Sequence, residues 1–273
     1  MAPIQHDVED SELELRGFSA PVRSVGHWVI AGVGSVGKGG HLAARAVGTL
    51  RQVDIWGPRL VPLFVTIGVA SIPIGLFILT FTGMVLAIQA SYTLTGTVPN
   101  YFVGALVGKT VILELGPALT ALALAGRVGA SIASELGTMR VTEQIDALES
   151  LAYDPVAYLV VPRVLAGMFM FPVVTVFSVV VGIVAGWLTS LAMLDVTTPE
   201  FVKGIRFFFD TYDVQFALIK AWSFGLVVTG VGCFYGLQTS GGAEGVGHAT
   251  TRAVVVGSMI ILVLDAFWAA VLL

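Results

Sequence analysis

Four ionisable residues, Lys109, Glu114, Lys220 and Asp265, stand in stretches that otherwise carry almost no charge. A charge near the centre of a bilayer costs roughly 2.5–3.5 kcal/mol on insertion scales, so such residues pair with one another or face a cavity. Lys220 lies near the start of one apolar stretch and Asp265 toward the end of the next. Antiparallel neighbours would bring the two to similar depth, where an intramembrane ion pair is expected. Glu114 lies just before Gly116-Pro117 and is expected to face a cavity or another helix rather than acyl chains. Two kinds of chemistry are open to this set. One is an ion pair that locks helices. The other is a relay for protons or ions through Glu114, Lys109 and Asp265.

Other chemistries find little support. "GVGSVGKGG" at 32–40 contains both G-x-G-x-x-G and G-x-x-x-x-G-K. A phosphate-cradling loop needs a preceding strand, a following helix and Ser or Thr after the Lys. Here Gly39 follows Lys38 and no βαβ pattern surrounds it, so a nucleotide site within this chain is not expected. The histidines, at 6, 27, 41 and 248, lack metal-ligand spacing, and the single cysteine, Cys233, sits in an apolar run. No nucleophile–base pair stands out. The expectation is therefore no catalytic residue, no metal and no cofactor bound by this chain.

The elements that must position these residues follow from composition. Hydrophobic residues make up 56 % of the chain and charged residues 12 %, about half the charged share of a soluble domain. The bilayer must be the solvent. No basic patch favours nucleic acid. Residues 1–20 are read as a polar, acidic tail and 21–273 as one membrane domain. In 24–57, Val25, Trp28, Val29, Val33 and Val36 recur at helical spacing, with Lys38, His41, Arg45 and Gln52 on another face. This pattern suits a helix lying in the membrane interface. Five crossings follow, near 61–89, 98–125, 164–191, 214–237 and 253–273, since each needs about 20 apolar residues. Segments 195–213 and 238–252 are read as polar loops. The fold expected is all-α and polytopic. With the N-terminus inside, ten Lys and Arg fall inside and four outside, which favours a cytoplasmic N-terminus and a periplasmic C-terminus.

One segment breaks the apolar pattern. "ELGTMRVTEQIDALESL", 135–151, brings charges every few residues. Val141, Ile145, Leu148 and Ala152 fall on one helical stripe. Thr142 is read as the N-cap, with Glu143 and Asp146 in a first turn whose dipole favours them. Asp154-Pro155 ends the helix. Its mainly acidic polar face suits a cytoplasmic protein partner better than anionic lipid.

"ELGPALTALALAGRVGASIASELGTMRVTEQIDALESLAYDP" (114–155) closely resembles the signature of the MlaE/YrbE permeases, the membrane subunits of MCE-type ABC transport systems. "GGAEGVGHATTRAVV" (241–255) with "LVLD" (262–265) resembles the same family's C-terminal signature. The resemblance spans roughly 24–273, while the tail at 1–20 lies outside it. It implies a homodimeric permease of a bacterial inner membrane that moves phospholipid or another apolar lipid. It further implies a cytoplasmic ABC ATPase dimer that uses the ATP, and a periplasmic MCE-domain protein. Segment 135–151 then resembles a coupling helix, and Glu135, Arg140, Thr142, Glu143, Gln144, Asp146 and Leu148 are expected to form or brace the ATPase contact. Gln89, Tyr92 and Glu114 are expected to line the lipid cavity.

Overall fold

The computed structural model describes residue 34 and residues 37–93 and 99–272. The acidic tail and much of the expected interfacial helix, 24–33 with 35 and 36, lie outside the described residues. The chain divides into two units, Met1–Gly48 and Thr49–Leu273. Described residues of the first unit form a helix over 37–48 (α1) whose side chains are mostly exposed. The second unit carries the bundle.

Five of its helices are long and apolar enough to cross a membrane, as the composition predicts, and no strand occurs among the described residues. They are α2 (Val53–Thr93), α3 (Tyr101–Val141), α5 (Val156–Met193), α7 (Thr211–Leu237) and α8 (Gly242–Leu272). Two shorter helices, α4 (Gln144–Ser150) and α6 (Thr198–Phe208), lie between them. The most interior spans are α3 and α7, whereas α8 is the least buried of the five.

Close packing comes from small residues. A Cβ added at Gly83 of α2 would lie 1.9 Å from the Gly182 carbonyl oxygen of α5. Between α3 and α6, a Cβ at Gly204 would lie 1.9 Å from the Tyr101 carbonyl oxygen. Such contacts let backbones approach closely where lipid offers no hydrophobic drive for helix association. Phe171, Phe201, Phe216 and Phe224 fill the remaining interior.

The spans are interrupted by four π-helical turns. Two of them, Val111–Leu115 and Val156–Val160, end two residues before Pro117 and Pro162. Proline lacks the N–H and crowds the carbonyl four residues back, so a widened turn there has a local cause. A third, Phe64–Gly68, runs into a 3₁₀ turn at Val69–Ser71 just before Pro73. The fourth, Ala125–Gly129, has no proline in or after it until Pro155, and contains Arg127.

Several element bounds differ from the sequence reading. The interfacial helix does not extend to 57, because a turn at 50–52 separates α1 from α2, which starts at Val53. The third span, expected from 164, starts earlier, at Val156. Both polar loops are largely helical. Segment 195–213 contains α6, whose N-cap Thr197 and N3 Glu200 form a capping box. Glu200 Oε2 accepts from the Thr197 backbone N–H at 2.8 Å and from its hydroxyl at 2.7 Å. Those bonds, the backbone one first, hold the Glu200 carboxyl below the usual carboxylate range. From Gly242, segment 238–252 already belongs to α8. Phe201 and Gly204 bury one side of α6, and Ala249 and Ala253 give the polar start of α8 an inward side.

Candidate functional site

At one level of the bundle, α3, α7 and α8 bring three charges together. Lys220 of α7 is completely buried. Its Nζ lies 2.7 Å from Glu114 Oε2 and 2.6 Å from Asp265 Oδ1, and 3.4 Å from the Leu113 carbonyl oxygen. The Lys220–Asp265 pair expected from the spacing is thus joined by Glu114 as a third member. Two carboxylates share one ammonium, so the cluster carries an excess negative charge when all three groups are ionised. Asp265 is enclosed, whereas Glu114 keeps 41 % of its side chain exposed. Trp268 Nε1 donates to Ser223 Oγ at 3.0 Å, fastening α8 to α7 one turn away. Lys109 pairs elsewhere, with Asp213 Oδ2 at 3.1 Å, and donates to the Phe208 carbonyl. Asp213 also accepts from the Asp210 backbone N–H in the capping box of α7. Gln89 and Tyr92 are exposed near the end of α2, and no hydrogen bond or ion pair joins them to Glu114 among the described residues.

Further along α3 the polarity reverses. Arg127 Nη1 donates to Ser71 Oγ, and at 3.5 Å to the Thr66 carbonyl, both on α2. Arg163 of α5, 7 % exposed, donates from Nη2 to Glu135 Oε1 and from Nη1 to the Leu159 carbonyl, each at 2.8 Å. A cavity of about 300 Å³ lies between α2, α3 and α5, with Thr66, Arg127, Ser131, Glu135 and Arg163 among its lining. No motif or spacing in the sequence marks either arginine as a site residue. Arg127, a lone charge in the span "ALTALALAGRVGASIAS", was the signal available.

The acidic segment is built differently from the single helix 135–151. Polar Ser131, Ser134, Glu135 and Thr138 occupy one face of α3, while Ile132, Ala133, Leu136 and Gly137 bury the other, so that helix continues to Val141. Glu135 and Arg140 are therefore its last turns. Thr142 is not an N-cap: it follows the end of α3, and its hydroxyl donates to the Thr138 carbonyl at 2.8 Å. Glu143 precedes α4 with φ 59°, in the left-handed region. Arg140 Nη1 reaches Asp146 Oδ1 at 2.5 Å across the turn, and Gln144 Nε2 donates to Thr142 Oγ1 at 3.0 Å. In α4 only Ile145 is fully buried, with Leu148 half-buried. Asp154 does not end α4; its Oδ1 accepts from the Val156 N–H at the start of α5. Beside α4 and the end of α3 lies an open depression of about 530 Å³, lined by Ser134, Glu135, Thr138, Met139 and Gln144 among others.

These features define an all-helical, multi-pass membrane protein with ion clusters inside its bundle and a short, polar elbow between its second and third spans. Residues 61–271 match the family model described as Permease MlaE. The chain belongs to the MlaE permease family. It is 40 % identical over 219 residues to a probable ABC transporter permease protein of Synechocystis, covering 80 % of this chain and 79 % of that one. It is 32 % identical over 252 residues to the intermembrane phospholipid transport system permease protein MlaE of Haemophilus influenzae, covering 92 % and 97 %. It is also 34 % identical over 217 residues to the chloroplastic protein TRIGALACTOSYLDIACYLGLYCEROL 1 of Arabidopsis thaliana, covering 80 % and 59 %.

Proposed function

We propose that this chain is the transmembrane subunit of an ABC transporter that moves phospholipid, or a similarly apolar lipid, between a bacterial inner membrane and a periplasmic MCE-domain carrier. The observation that carries this reading is the similarity, over nearly its whole length, to a permease named for intermembrane phospholipid transport. A cytoplasmic ATPase dimer binds and hydrolyses the ATP, and two copies of the chain enclose the lipid. The N-terminus lies in the cytoplasm and the C-terminus in the periplasm.

The coupling path follows from α3. Closure of the ATPase dimer pushes on α4 and the Glu143 turn, and Arg140–Asp146 ties that turn to the end of α3. From Val141 back to Glu114 is 27 residues of helix, about 40 Å at 1.5 Å per residue. A helix transmits such a displacement to the Glu114–Lys220–Asp265 cluster, and with it to α7 and α8. The partner biases one of two arrangements of the spans, which is a population shift.

Affinity purification of the tagged chain from native membranes tests the reading. An ATPase and an MCE-domain protein should co-purify, and lipid transfer should require ATP. Recovery of the chain alone, with transport that follows a proton gradient, would instead favour an ion-coupled carrier using Glu114, Lys109 and Asp265.

A further inference from the structure

The cavity between α2, α3 and α5 has a charge balance that the coupling path does not use. Arg163 is neutralised by Glu135, yet its buried Nε has no hydrogen-bond partner. Arg127 makes bonds only through Nη1, to a hydroxyl and a carbonyl, and no carboxylate pairs with it among the described residues. The lining therefore holds two guanidinium groups against one carboxylate. A net positive charge is left over, with Thr66 and Ser131 hydroxyls beside it. An unpaired guanidinium in a span is expensive and marks a functional site by default. The cavity walls include Ile67, Val128 and Ile132, which are apolar.

The backbone at this place is irregular for the same residues. Thr66 lies in the π turn Phe64–Gly68 and Arg127 in the π turn Ala125–Gly129. Only the second of these lacks a proline at or near its end, and π turns without such a cause recur at functional sites. Depth fits as well. Arg127 follows Glu114 by 13 residues, so the basic and acidic levels lie about 20 Å apart along α3. Within an apolar core about 30 Å thick, this puts each level some 5 Å inside a headgroup boundary if the two straddle the midplane. Below Arg127, the side chains of Ser131, Ser134, Glu135 and Thr138 continue as a polar stripe to the end of α3.

We infer that the Arg127–Arg163 cavity is a phosphate-binding site that receives a phosphodiester or phosphate group between α2 and α3. Guanidinium forks match phosphate oxygens, and the apolar walls accept the glycerol and first methylenes of a lipid. The inference that this phosphate belongs to a lipid in transit rests on the permease reading. The affinity for phosphate does not.

The test is native mass spectrometry of the full chain in a non-ionic detergent, titrated with a short-chain phosphatidylglycerol. Short-chain diacylglycerol serves as the phosphate-free control and inorganic phosphate as competitor. Arg127→Gln removes the free charge. Because it also loosens the α2 contact, Ser131→Phe is the second variant; it leaves those bonds intact and fills the mouth. Arg127→Gln should bind phosphatidylglycerol at least about tenfold more weakly, as expected for one lost charge-assisted bond, and Ser131→Phe should weaken it at least as much by occupying the space, with diacylglycerol adducts unchanged. Persistence of the adduct in excess inorganic phosphate identifies the lipid headgroup as the ligand. Displacement by phosphate identifies a site open to the free anion. Equal phosphatidylglycerol affinity in the native chain and both variants, or diacylglycerol bound as tightly, overturns the inference. Absence of a co-purifying ATPase would defeat the permease reading while leaving this measurement unaffected.

Discussion

Replacing Lys220 should damage the bundle far more than replacing either of its partners. Lys220 is fully buried between Glu114 and Asp265, at 2.7 and 2.6 Å. Lys220→Met leaves two carboxylates facing each other with no cation, and breaking a buried ion pair from one side costs about 3–5 kcal/mol. Asp265→Asn instead leaves a neutral Lys220–Glu114 pair. Its cost is the loss of one charge-assisted contact, about 1.5–3 kcal/mol. Glu114 is 41 % exposed, so water screens its share, and Glu114→Gln should cost about 1 kcal/mol or less. The triple variant, with no charge in the cluster, should recover most of what Lys220→Met loses, because a buried ionic network is often matched by neutral groups of similar size. Equilibrium unfolding of the purified chain in mixed SDS–dodecyl maltoside micelles, followed by circular dichroism, measures each difference. If the three single variants are equally stable, or if the triple variant is the worst of all, the buried-charge account of this cluster is wrong.

Three further outcomes follow from other parts of the chain. Glu143→Lys should abolish ATPase co-purification with folding intact; Asp146→Lys should do so and also free the elbow, since it removes the Arg140 contact, and limited proteolysis between 141 and 152 separates the two effects. Gly83→Val should cost about 1–3 kcal/mol through overpacking, because even a Cβ meets the Gly182 carbonyl, and the same unfolding assay reads it. At the start of α6, Thr197→Ala should remove about 1 kcal/mol of capping; because the Glu200 carboxyl is held below its ordinary range, its contribution is full above the unfolded value and disappears as pH falls through the folded one, so amide exchange in α6 should accelerate only in strongly acidic buffer.

The five crossings were legible because a span announces itself by length and lack of charge, and those properties are local. Lys220 and Asp265 could be paired from depth alone, since antiparallel neighbours place an early residue opposite a late one. Glu114 could not be added to that pair, because nothing in the spacing says that α3 packs against both α7 and α8. The elbow was misread for a related reason. Polar residues at 131, 134, 135 and 138 share one face of a helix that is buried on the other, so rising polarity marked a change of environment and not the end of α3. For α6 the sequence does carry a start signal: Thr197 followed by Glu200, with Pro199 between, is a helix N-terminus.

The arrangement along α3 bears on how a push could change the bundle. A stiff rod carries displacement without changing its neighbours' register, and α3 is not uniformly stiff. Its two π turns, Val111–Leu115 and Ala125–Gly129, lie where Glu114 meets Lys220 of α7 and where Arg127 meets α2. A π turn holds one residue more than the regular ladder needs, and its conversion to α-helix shifts everything beyond it by about 1.5 Å and 100°. Either conversion would turn a charged side chain out of its present contacts. On the proposed coupling path, the polar groups that fasten α3 to its neighbours sit at its two π turns, so a displacement of the elbow would remake those contacts.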